Sequence, residues 1–141
     1  MWVVVHLYVG LAIGASVKAP FWEVAVLVVA SHVLLDLVPH WDYTAAAHDI
    51  LWGWADFLAA LATLIVGFAV LHMPLAVLAM GPISGAPDLD VLIYTITGRK
   101  GRKWFPSHWD TFPHGRCGPR LGIPLQLGVI VVSAAVFHGA G

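Results

Sequence analysis

The sequence predicts an all-α, polytopic membrane protein with about four to five transmembrane helices, one of them broken by proline and glycine. Three observations carry that expectation. The 141-residue chain is 60% hydrophobic and only 11% charged, with a mean hydropathy of +0.84. A soluble domain is about 45–50% apolar and about 25% charged. Several apolar runs approach the roughly 20 residues that a bilayer-crossing helix needs. Most of the seven tryptophans (Trp2, Trp22, Trp41, Trp52, Trp54, Trp104, Trp109) fall near the ends of those runs, where membrane interfaces anchor them.

The elements follow in order. The first span is about Trp2 to Val17, and Lys18 and Pro20 mark a turn. The second runs from about Phe21 to Val38, where Pro39 closes it. A polar segment, HWDYTAAAHD, leads to a third span from about Ile50 to Leu71. The fourth region carries Pro74, Pro82 and Pro87 with Gly81, Gly85 and Gly98. Two short helical pieces around a broken middle fit it, because irregular backbone at membrane depth is tolerated when protein covers it. The last span is about Leu121 to Phe137. The length fits one domain, residues 1–141, with a basic polar loop at 99–120.

Composition also excludes some functions. A formal charge of −1 gives no general attraction to nucleic acid, and the one short basic loop has no reader motif. Cys117 is the sole cysteine, so no internal disulfide forms. The first segment lacks a basic n-region, so no cleavable signal peptide is expected. There is no GxSxG elbow or HExxH motif, and Glu23 is the sole glutamate, against serine-hydrolase and zincin chemistry.

Histidines and aspartates are the conspicuous polar residues. Threading the spans back and forth brings most of them to one membrane face. His6 lies at the start of the first span; His32, Asp36, His40 and Asp42 at the end of the second; His48, Asp49 and Asp56 at the start of the third. Asp88 and Asp90 precede the loop that holds His108, Asp110 and His114. His72 and His138 fall on the other side. Positive-inside bias from Arg99, Lys100, Arg102 and Lys103 makes the His/Asp face cytoplasmic, although Lys18 opposes it. The basic cluster is either a solvated anchor or a seat for anionic headgroups.

His32 and Asp36 are four apart and share a helix face. That pair is either a hydrogen bond or half of a metal site. Ionisable groups inside a membrane segment are costly and are usually paired or functional. Asp56 sits inside a span and needs a partner. Imidazoles and carboxylates without thiolates suit zinc, manganese or iron. The expected metal ligands are His6, His32, Asp36, Asp56, Asp88, Asp90, His108 and His114, around one or two divalent ions, zinc foremost. His40 or Asp42 would act as base or orienter, and Arg99, Lys100 and Lys103 would meet an anionic substrate. A local echo joins PHWD at 39–42, SHWD at 107–110 and PHG at 113–115.

These motifs resemble a family of bacterial and archaeal membrane-bound metal-dependent hydrolases, typified by LexA-regulated inner-membrane proteins. The resemblance lies in HxxxGxxxG at His6, Gly10 and Gly14, in SHxxxD at His32 and Asp36, and in PDxD at Pro87, Asp88 and Asp90. Val91 stands where the family has a histidine, and SHWDTFPHG departs from its HRGxTHS element. The family is in turn similar to zinc-dependent phospholipase C and P1 nuclease. The resemblance implies phosphodiester hydrolysis by metal-activated water, on a phospholipid or lipid-linked phosphate, in a prokaryotic cell membrane. Membrane lipids are the expected partners. Gly10 and Gly14 form a small-xxx-small pair that could pack helices within one chain or between copies. Two other classes stay open: a metal-ion or solute transporter, with His72 and His138 on the far side of its path, and a non-enzymatic cofactor-binding protein.

Overall fold

The computed structural model describes residues 1–139. Six α-helices lie among the described residues: α1 (Val3–Ser16), α2 (Phe21–Leu37), α3 (Asp49–Ala69), α4 (Leu75–Gly85), α5 (Leu89–Ile96) and α6 (Pro119–Gly139). A single 3-10 turn, Ala86–Asp88, joins α4 to α5. Together they make a 22-residue span, Leu75–Ile96. This is the broken fourth region expected from Gly85 and Pro87. That span, α3 and α6 are each long and apolar enough to cross a membrane, and α1 is a shorter apolar helix.

Burial is arranged inside out. On α3 only Asp56, Ala60 and Gly67 are buried, while Ile50, Leu51, Trp54, Phe57 and Phe68 are exposed. Such an apolar outer surface is what a lipid solvent requires of it. The hydrophobic residues that do pack come mainly from α1. Val4, Val5, Leu7 and Leu11 meet Ala60 of α3 and Leu78 of α4. Val24 and Val28 of α2 pack on Met80 of α4.

Helix α1 is therefore the central element, and its glycines set how closely it approaches α4. A Cβ added at Gly10 would run into the Met80 carbonyl, and one at Gly14 would come within 2.8 Å of Met80 Cγ. The small-xxx-small pair is used inside the chain. The start of α1 is held by α3: Val3 N donates to Asp56 Oδ2 at 2.7 Å and Val4 N to Oδ1 at 2.9 Å. Those amides are among the donors that a helix start leaves without partners, and the carboxylate also complements the helix dipole.

The polar connections close over the same end. Gly115 N donates to the Asp36 carbonyl, His40 N to the Gly115 carbonyl, and Cys117 N to the His40 carbonyl, at 2.7–2.8 Å. The end of α2 is thus zipped to residues 115–117, including an isolated parallel bridge between His40 and Arg116. A Cβ at Gly115 would strike the Val38 backbone, so the zipper needs glycine there. Gln126 of α6 accepts from Trp2 N at 3.0 Å and donates to the Trp41 carbonyl at 3.3 Å.

Candidate metal centre

The residues that meet at this end come from four separate places. His6 lies one turn into α1. His32 and Asp36 sit on one face of α2, Asp88 ends the turn between α4 and α5, and His108 ends a 3-10 turn over Pro106–His108. His6, His32 and Asp36 are fully buried. His32 Nε2 lies 3.4 Å from Asp36 Oδ2 and 3.8 Å from Asp88 Oδ1. His108 Nε2 lies 3.6 Å and 3.3 Å from the same two oxygens. The two Nε2 atoms are 3.4 Å apart. A tetrahedron with metal–ligand bonds of about 2.0–2.1 Å has edges of about 3.3 Å. Five contacts among these four atoms cluster around that value.

The outer ring nitrogens fix where the protons are. His32 Nδ1 lies 2.8 Å from the Ser84 carbonyl, so it must be the donor. His108 Nδ1 lies 2.6 Å from Asp90 Oδ1, the carboxylate–histidine arrangement that orients metal ligands. In the neutral rings, both inward Nε2 atoms then carry lone pairs, and they face each other and two carboxylates. A cation in their midst converts this repulsion into coordination. His6 completes the case. Its Nε2 lies 3.6 Å from Asp36 Oδ1 and 4.0 Å from Asp88 Oδ2. Both His6 ring nitrogens and Asp88 Oδ2 are buried without a hydrogen-bond partner, and unsatisfied buried polar atoms are rare. The His6 ring stacks on His32 with centroids 3.8 Å apart.

Asp36 is the hub. Ser107 Oγ donates to its Oδ2 at 2.7 Å, and the Met1 amino nitrogen lies 3.2 Å from its Oδ1. His114 Nε2 approaches the same Oδ1 at 3.9 Å, and His40 Nε2 lies 3.0 Å from His114 Nε2. Burial lowers the pKa of His40 to about 4 and pulls His114 down as well, favouring neutral imidazoles. Burial also pushes His108 down, but the hydrogen bond and charge of Asp88, with Asp90 beyond, outweigh it and raise its pKa.

No protein-family model, curated protein or solved structure matches this chain. The site therefore stands on its own chemistry. Buried imidazoles and carboxylates at these separations could hold a metal ion.

Of the expected ligands, His6, His32, Asp36, Asp88, His108 and His114 come together, joined by His40. Three aspartates are used differently. Asp56 has both oxygens engaged by α1 and accepts from Tyr43 Oη at 3.1 Å, so it is a structural cap. Asp90 supports His108 and accepts from Phe105 N at 2.6 Å; it orients a ligand. Asp42 caps a 3-10 turn over Tyr43–Ala45 by accepting from Thr44 N and Oγ1, and it pairs with Arg116 at 3.3 Å. Its contacts lie outside the groups that could hold an ion. His40 lies instead with Asp36 and His114 in one such group.

The basic loop divides too. Arg99 pairs with Asp49 at 2.9 Å and fastens the loop to α3. Lys100 is exposed and does not line the groove described next. Lys103 does, with Tyr94, Arg102, His108, Trp109 and Asp110, around an open-sided cavity of about 370 Å³. Arg102 stacks over Trp109 at 4.7 Å. Ser107 was absent from the expected set. In the echo of PHWD by SHWD, Ser107 stands opposite Pro39, so nothing in the sequence signalled it.

Proposed function

We propose that the protein is a membrane-embedded, metal-dependent hydrolase that cleaves phosphoester bonds of a phospholipid or another lipid-linked phosphate. The observation that carries this reading is the convergence of His32 Nε2, His108 Nε2, Asp36 Oδ2 and Asp88 Oδ1 at tetrahedral-edge separations. A divalent ion held there would supply an acidified water and offset charge on phosphoryl oxygens. Asp90, Ser107 and the Ser84 carbonyl hold the His108, Asp36 and His32 side chains in place. The centre meets solvent mainly at Asp88 and His114, whose side chains are 13% and 12% exposed.

The groove beside His108 supports the substrate class. Lys103 and Arg102 offer cationic charge next to the centre, and Trp104 and Trp109 present exposed rings at the same loop. An anionic headgroup at a membrane surface suits that combination. The motif resemblance to membrane-bound metal-dependent hydrolases points the same way. The basic loop would put this face in the cytoplasm of a prokaryotic cell.

The test uses purified full-length protein in detergent, loaded with zinc or manganese. Metal analysis should find bound metal, and a soluble aryl phosphodiester and short-chain phospholipids should be hydrolysed. Asp88→Asn should lower turnover by at least about 100-fold, in line with losing a ligand that carries charge to the metal. Metal-free protein after loading would overturn the metal reading. Metal-loaded protein inert on every phosphoester, but moving ions into liposomes, would make it a transporter.

A further inference from the structure

His40 and His114 form a second histidine pair that the centre around His32 and His108 does not use. His40 Nδ1 lies 2.8 Å from the Val38 carbonyl, and His114 Nδ1 lies 3.2 Å from the Ser107 carbonyl. A carbonyl only accepts, so each ring carries its proton on Nδ1. With both rings neutral, the two Nε2 atoms then present lone pairs to each other at 3.0 Å. Two acceptors at that distance repel unless a cation lies between or beside them. The third party is already in place: Asp36 Oδ1 lies 3.9 Å from His114 Nε2, and single ligand atoms of Asp36, His40 and His114 all lie within 4.8 Å of one another.

The same pattern recurs across the two pairs. Each combines one histidine from the α2 segment with one from the loop: His32 with His108, and His40 with His114. Asp36 turns Oδ2 toward the first pair and Oδ1 toward the second. Its two oxygens thus meet different histidines, as those of a carboxylate bridging two ions do. The fully buried His6 lies beside Oδ1 with no hydrogen-bond partner on either ring nitrogen, so unmet ligand capacity exists on that side too. Two-metal hydrolytic sites place their ions about 3.5–4 Å apart, a span one carboxylate covers.

We infer that Asp36, His40 and His114 bind a second divalent cation, with Asp36 bridging it to the ion at His32, Asp88 and His108. This deepens the metal-dependent reading above and rests on it. Among the described residues no lysine or arginine reaches Oδ1; the charged nitrogen beside it is the Met1 amine, at 3.2 Å. The second ion is a transition metal that accepts imidazole, of the zinc or manganese class.

Metal stoichiometry tests this without reference to activity. Full-length protein in detergent is saturated with manganese, desalted, and measured by elemental analysis and electron paramagnetic resonance. Two ions per chain with an exchange-coupled spectrum are expected. His114→Ala and His40→Ala should each fall to one ion per chain with an isolated-ion spectrum. One ion per chain in the wild type would overturn the inference and leave the single-metal reading standing. Two ions retained in both variants would also overturn it. No bound metal would remove both readings. The wild-type count and spectrum decide the matter even if a variant fails to fold.

Discussion

Asp90 never reaches the centre, yet it fixes the tautomer of His108 through a 2.6 Å contact. Losing such support usually costs about 10–100-fold in metal affinity. Asp90→Asn should therefore weaken binding by that factor while helical content stays unchanged, as a metal-buffer titration with circular dichroism would reveal. Asp56 is the contrasting case. Asp56→Ala removes three hydrogen bonds to a carboxylate at the start of α1. Bonds to charged groups are worth about 1.5–3 kcal/mol each, so we expect stability to fall by about 3 kcal/mol or more. The folded fraction should keep its metal, which thermal unfolding and metal analysis together would check. These two aspartates also mark what could be read from the sequence. His32 and Asp36 were legible because their spacing alone puts them on one face. Asp56 looked like a ligand because a buried acid in an apolar span demands a partner, and nothing local says that the partner is a helix start arriving from the other end of the chain.

At the scale of elements, the close approach of α1 to α4 sets the relation of His6 to Asp88. Gly10→Val should push the two helices apart, because the new side chain meets the Met80 backbone rather than a flexible tip. Stability should drop by about 1–3 kcal/mol, the usual cost of overpacking, and metal affinity should drop with it. Gly128→Val on α6 meets nothing within 4 Å and serves as the matched control, expected to change neither quantity by a measurable amount. The broken span was legible at this scale: Gly85 and Pro87 signalled the turn that presents Asp88. The zipper between the end of α2 and residues 115–117 was not. It joins two irregular segments that have no periodicity, and only the echo of their His-containing motifs hinted that they meet.

The whole molecule places a polar, ligand-rich interior within an apolar exterior. Folding a set of buried imidazoles and carboxylates around a metal ties stability to metal concentration. Free ion at about 1,000 times its dissociation constant adds about 4 kcal/mol. Excess chelator should accordingly lower the unfolding temperature in detergent, and restoring zinc or manganese should recover it. An unfolding temperature indifferent to chelator would argue that the cluster is held by protons and hydrogen bonds alone. The overall arrangement was visible in the threading of spans, since helices that alternate direction bring the two ends of successive segments to the same face. How deeply the loop would sit on that face was not visible, because its polar composition reads as solvent-exposed.

The zipper has a consequence for how the protein is made. Chain synthesis delivers His6, His32, Asp36, His40 and Asp88 well before His108 and His114, and the loop carrying the last two is tied to the end of α2 through Gly115 and Cys117. A nascent chain that ends before this loop therefore holds an incomplete cluster and nothing to close over it. On the metal reading proposed above, capture of the ion would be a late event in synthesis, reporting that the loop has closed onto α2.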